Sequence, residues 1–130
     1  MAKEIPVRAY ATFRLIGDSL DRDEMKERTG LKTASPRSIP NVWTFSSKQE
    51  LEPSALEDHL VFLLNRLTPA REELSLLIRD RSLRADVWCF WDTATTDSSG
   101  PQISGDTLRR LAALPVEEVI FQIFDSSDEE

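Results

Sequence analysis

From Leu56 to Leu67 the chain reads LEDHLVFLLNRL, and Leu56, Leu60, Val61, Leu63, Leu64 and Leu67 fall on one stripe of an α-helix. Ser54 and Glu57 mark its start as a capping box. Such a stripe has to be buried, since full burial of one leucine side chain is worth roughly 1.5–3 kcal/mol relative to leaving it in water. The chain must therefore supply a second apolar surface of similar length. Residues Val7 to Ile16, VRAYATFRLI, offer one: their alternation reads as a strand with Val7, Ala9, Ala11, Phe13 and Leu15 on one face. Arg8, Tyr10, Thr12, Arg14 and Ile16 point the other way.

The rest of the chain alternates between the same two periodicities. Asp21 and Glu24 form a capping box at the start of a helix stapled by Leu20 and Met25, and Gly30 ends it. Leu31 to Asn41, with two prolines, is a loop leading into a short strand at Val42 to Ser47, where Trp43 and Phe45 share a face. After the leucine helix, Thr68-Pro69 starts a second helical piece with Leu74, Leu76, Leu77 and Ile78 on its apolar side. ADVWCFW, residues 85–91, is a third strand, and Asp92 to Gln102 is a polar loop. A helix then opens at Ile103-Ser104, stapled by Ile103 and Leu108, with Leu108, Leu111, Ala112 and Leu114 facing inward; Glu117 to Asp125 closes the chain as a strand. The order β-α-β-αα-β-α-β predicts an α/β (α+β) domain, a mixed four-stranded sheet carrying amphipathic helices. A final β-α-β unit with parallel strands should cross over right-handed.

Composition narrows the classes of function. A length of 130 residues suits one domain, with Asp125 to Glu130 as an acidic, solvated tail. No apolar run approaches the ~18 residues of a membrane span. A lone cysteine cannot close an internal disulfide, and the opening Met1 to Pro6 lacks the pattern of a secretory signal, so a soluble, cytoplasmic protein is expected. The net charge is −7, four units of which sit in the tail. That balance argues against nucleic-acid and anionic-membrane partners, whose phosphates call for clustered Lys and Arg.

Several stretches together resemble a known bacterial family, the domain of unknown function DUF4279. They are YATFRLIGDSLD (Tyr10 to Asp21), TGLKTASPR (Thr29 to Arg37), VWTFSS, LEDHLVFLLNRL, ISGDTLRRLAAL and VIFQIFD. The resemblance implies a fold and brings no activity, cofactor or catalytic residue with it. Small, acidic, single-domain chains of this kind also invite comparison with bacterial toxin-immunity proteins, by size and charge alone.

Few residues could carry chemistry. His59, the only histidine, lies at the edge of the leucine stripe and reads as a packed or hydrogen-bonded helix residue rather than a base. Cys89 sits mid-strand between Trp88 and Phe90 with no neighbouring base to activate it, as a small buried hydrophobe would. Asp18, Asp21, Asp23 and Glu24 lack the glycine and distal glutamate of a calcium loop, and no metal is expected. The glycines are scattered, so no phosphate cradle or cofactor is expected either. Arg8, Arg14, Lys32 and Arg37 form a candidate anion patch, against the plainer reading of a solvated charged face.

The concentration of aromatics in ADVWCFW is the strongest lead. As a strand it directs Ala85, Val87, Cys89 and Trp91 one way, and Asp86, Trp88, Phe90 and Asp92 the other. The second set joins Tyr10, Thr12 and Arg14, and Ile120, Gln122 and Phe124 of the last strand. Helices on both faces would make Trp88 and Phe90 ordinary core. A sheet open on one face would instead present Tyr10, Arg14, Trp88, Phe90 and Phe124 as an interface for a protein partner or a second copy. A small-ligand or enzymatic pocket near the loops 31–41 and 92–102 is the alternative.

Overall fold

The computed structural model describes residues 8–31, 41–48, 50–51, 55–92 and 102–124. Its elements follow the predicted order: β1 (Arg8–Ile16), α1 (Arg22–Thr29), β2 (Val42–Ser46), α2 (Leu56–Leu67), α3 (Arg71–Arg81), β3 (Arg84–Asp92), α4 (Gly105–Ala112) and β4 (Glu118–Phe124). The four strands form one mixed sheet in the order β2-β1-β3-β4. β1 is antiparallel to both β2 and β3, whereas β4, reached through α4, runs parallel to β3.

Strand alternation sorts the side chains as the sequence predicts. Ala11, Phe13 and Leu15 of β1, Trp43 and Phe45 of β2, and Ala85, Val87, Cys89 and Trp91 of β3 are all buried on one face. Leu56, Leu60, Leu63, Leu64 and Leu67 of α2 pack into the same cluster, with Leu74 and Leu77 of α3, Met25 of α1 and Leu111 of α4. α2 lies against β1 and reaches β3. No described residue of the opposite sheet face belongs to that core, so the helices form one layer on one side of the sheet.

Local signals worked where the helix end itself decided them. Asp21 accepts from the N–H groups of Asp23 and Glu24 at the start of α1, and Gly30 ends the helix at φ 74°. Where tertiary packing competed, it won. Glu24 does not close the predicted capping box; its carboxylate binds Arg28 and Arg81 instead. Thr68 does not cap α3: it has helical dihedrals, and Thr68–Ala70 forms a 3₁₀ turn joining α2 to α3. Pro69, which lacks an N–H, suits that tight joint.

Glu57 departs from expectation in a more useful way. α2 begins after Ala55 without a side-chain cap, and Ser54 lies outside the described residues. Glu57 instead accepts from the Ser104 N–H at 2.7 Å and from the Thr107 hydroxyl at 3.0 Å. It thus caps α4 from a neighbouring helix, beside Ser104, whose hydroxyl accepts from the Thr107 N–H at 3.1 Å. The Ser104 N–H is the main reason the Glu57 carboxyl is held below its ordinary pKa.

The inward face of α4 also needs correcting. Thr107 and Leu111 are buried, while Leu108 is 50% exposed and Ala112 is exposed. Thr107 and Leu111 are four residues apart and set the buried line; Leu108 falls about 100° round the helix from Thr107, outside it. Val61 and Leu76, likewise predicted inward, are half-buried and outside the core cluster. Replacing Leu60 with Ala should cost about 2–5 kcal/mol of unfolding free energy, and Leu108→Ala only about 0.5 kcal/mol or less. Urea denaturation of the two variants measures both; equal losses would contradict this placement of α4.

Candidate functional site

The sheet face turned away from the helices brings together the side chains that the alternation of β1 and β3 sends outward. Antiparallel register sets Tyr10 opposite Phe90, Thr12 opposite Trp88 and Arg14 opposite Asp86. Tyr10 and Phe90 stack with ring centroids 4.9 Å apart and planes 16° from parallel. The Arg14 guanidinium lies over the Trp88 ring, 4.7 Å from its centroid, and Lys48 Nζ stands 5.0 Å from the Tyr10 ring. Thr12 donates to the Ser46 hydroxyl of β2 at 2.9 Å. Tyr10, Arg14, Trp88 and Phe90 are all half-buried.

Phe124, the fifth predicted residue, stands opposite Asp92 on the outer strand, at the far end of β3 from Asp86. Its side chain lies outside the described ones. Ile120 and Gln122 take the register positions beside Trp88 and Phe90. Four of the five predicted residues therefore form one group, running from Lys48 and Tyr10 to Arg14.

Arg14 ties this group to the sheet. Its Nε and Nη2 donate to Oδ1 and Oδ2 of Asp86 at 2.8 and 2.9 Å, a two-pronged pair that cross-strand register puts in reach. The Asp86 hydrogen bond is the main reason the Arg14 pKa is raised, with Asp86 and Glu118 adding their negative charge. Asp86 is only 2% exposed, so Arg14 is what makes its burial tolerable. Sequence reasoning placed Asp86 on this face without giving it a role. The signal was a charged residue at the same alternation phase as Trp88, but its pairing depends on register, which one strand alone does not show.

The remaining candidates lie elsewhere. Cys89 is fully buried on the helix-covered face, and burial pushes its thiol up to about 12, away from thiolate chemistry. His59 is buried and hydrogen-bonded, to the sheet rather than to another helix. Its Nδ1 is 2.8 Å from the Ser47 hydroxyl, which accepts the Ala11 N–H at 2.9 Å. Which of the two donates depends on the imidazole tautomer, and Nε2 is buried without a hydrogen-bond partner among the described residues. Serine and histidine in contact can form a nucleophile–base pair, but here both are buried and fasten α2 to the end of β2.

Among the described residues, no group of three His, Cys, Asp or Glu side chains could hold a metal ion, and no helix is long and apolar enough to cross a membrane. Of the proposed anion patch, Lys32 and Arg37 lie outside the described residues, as does the side chain of Arg8, and Arg14 is paired with Asp86. Residues 32–40 and 93–101, the bulk of the two loops suggested as a pocket, also lie outside them. Among the described residues, open depressions lie between α3 and Ala113 (≈ 420 Å³) and from Asp18 to Asp23 beside Arg81 (≈ 430 Å³). Neither is lined by the aromatic face.

Two stability predictions follow from these pairings. Arg14→Met leaves Asp86 buried and unpaired and should cost about 2–4 kcal/mol, while the double variant Arg14→Met/Asp86→Val should recover most of that loss in urea denaturation. For His59, burial lowers the folded-state pKa below its ordinary 6.5, with the Asp58 charge opposing. The unfolded chain then binds the extra proton first, so this contribution is complete above about pH 6.5 and lost as pH falls below it. His59→Asn, which can keep a hydrogen bond to Ser47 without titrating, should flatten the fall in urea midpoint between about pH 7 and pH 5.

Neither a curated protein nor a solved structure matches the chain. Residues 7–123 match a protein family, and that span takes in every strand and helix described above, apart from the last residue of β4. The chain belongs to the family described as a domain of unknown function, DUF4279.

Proposed function

We propose that the protein is a cytoplasmic, non-catalytic protein-binding module, of the immunity-like kind, whose contact surface is the aromatic sheet face. One observation carries this reading: Tyr10, Arg14, Trp88 and Phe90 are half-buried on a face with no described helix over it, and cation and ring contacts hold them in place. Tryptophan, tyrosine and arginine are the residues that most often anchor protein interfaces. Rings already stacked and pinned lose little conformational freedom on binding. The Trp88 indole N–H is buried without a hydrogen-bond partner among the described residues. The occupant in this reading is a protein chain offering flat apolar side chains. The alternative is a ligand or catalytic pocket near residues 31–41 and 92–102, most of which lie outside the described residues.

A photo-crosslinking residue placed at position 90, and in a second sample at exposed Glu72 of α3, tests this in cells of the source organism. The expected result is a single protein adduct at position 90 that is absent from position 72 and is lost when Trp88→Ala is added to a still-folded chain. Equal labelling from both positions, or an adduct that survives Trp88→Ala, would overturn the proposal.

A further inference from the structure

The two edges of the sheet are built differently. β2 closes one side with five residues, Val42–Ser46, and in sequence Pro40 and Lys48 flank it. Shortness, proline and lysine are the usual means of keeping an edge strand from pairing with another chain. β4 closes the other side with seven residues, EVIFQIF, free of proline and lysine, and among the described residues it pairs only with β3. The exposed large hydrophobics among the described residues gather on it and on the helix that leads into it: Phe121 (45%), Ile123 (54%) and Leu108 of α4 (50%).

Backbone direction determines what this edge can do. The Ser47 N–H donates to the Ala11 carbonyl and the Gly17 N–H to the Asn41 carbonyl, so the odd residues of β1 face β2, its even residues pair by hydrogen bonds with Asp86, Trp88 and Phe90, and the odd residues of β3 face β4. Across the parallel β3–β4 pair, Ile120, Gln122 and Phe124 therefore turn their peptide groups toward β3, while Val119, Phe121 and Ile123 turn theirs outward. Phe121 and Ile123 share register with Cys89 and Trp91, so they lie on the helix side of the sheet, beyond the reach of the helical layer.

From this we infer that two copies of the chain pair antiparallel along β4, about a two-fold axis through Gln122, joining their four-stranded sheets into one. In that register Phe121 lies opposite the partner's Ile123, and Ile123 opposite the partner's Phe121, in pairs joined by the outward peptide groups of both residues. Gln122 meets the partner's Gln122 in a close non-hydrogen-bonded pair, and Ile120 stands opposite the partner's Phe124. Moving the axis to Phe121 would set Glu118 against the partner's Phe124 and Ile120 against the partner's Gln122, apolar against polar. The sequence of β4 is thus self-complementary in one register. An axis perpendicular to the sheet also places both aromatic faces on the same side, whether or not they bind a partner.

One strand and a few half-exposed side chains cover less than the roughly 800 Å² per partner of a standard interface. The dimer is accordingly weak, with a dissociation constant of about micromolar order. Each copy carries a net charge of −7, so added salt should strengthen association.

Sedimentation velocity from low-micromolar to near-millimolar protein tests the pairing. Wild type is expected to pass from monomer to dimer, and Ile123→Lys to raise the dissociation constant by about tenfold or more while leaving the circular dichroism unchanged. Position is tested by Gln122→Cys, which should form an intermolecular disulfide under mild oxidation, whereas Phe121→Cys should not. The native Cys89 is 0% exposed and does not interfere. A wild-type monomer throughout, or a dimer that neither responds to Ile123→Lys nor crosslinks through position 122, would overturn the inference.

Discussion

The packing of the α2 leucine stripe against the inner face of β1 and β3 is the contact on which the rest of the molecule depends. Leu60, Leu64 and Leu67 are fully buried there, in one cluster with Phe13, Leu15 and Val87. Because α3 follows α2 through a tight 3₁₀ joint, it is carried onto the same side, where Leu74 and Leu77 extend the cluster. α1 joins through Met25, and Arg81 and Arg28 bind Glu24 at its edge. α4 is then oriented by Glu57, a residue of α2 itself. Each helix after α2 is thus placed by a contact that α2 makes directly or passes on.

A single helical layer leaves the second sheet face to meet its own requirements. The Asp86 carboxylate is buried there without a described helix over it, and Arg14, from the adjacent strand, supplies two hydrogen bonds to it. The same guanidinium covers Trp88, and the Tyr10–Phe90 stack sits beside them. These contacts hold the side chains of the face against one another. An aromatic, part-exposed surface whose side chains are already in contact loses little conformational entropy when something binds to it.

Strand and helix periodicity made much of this architecture readable in the chain. The alternation of VRAYATFRLI and ADVWCFW separated the core face from the aromatic face residue by residue, and the α2 stripe supplied the core's other half. What stayed hidden depended on relations between elements. Glu57 carries a capping-box signature, yet its carboxylate serves another helix, because Ser104 comes close only in the folded chain. Leu108 looks like a staple residue but misses the line set by Thr107 and Leu111. Asp86 acquires its meaning from the register that puts Arg14 across from it. Whether Trp88 was core or surface turned on which side the helices took, a question that no single amphipathic pattern contains.

Hydroxyl-radical footprinting of the native chain, read residue by residue by mass spectrometry, tests the one-sided arrangement most directly. A helical layer on one face predicts that Tyr10 and Trp88 are oxidised well above Trp43, Phe13 and Trp91, which are 0%, 0% and 6% exposed. Protection of Tyr10 and Trp88 equal to that of Trp43 would mean that both faces of the sheet are covered, and would contradict an open aromatic face.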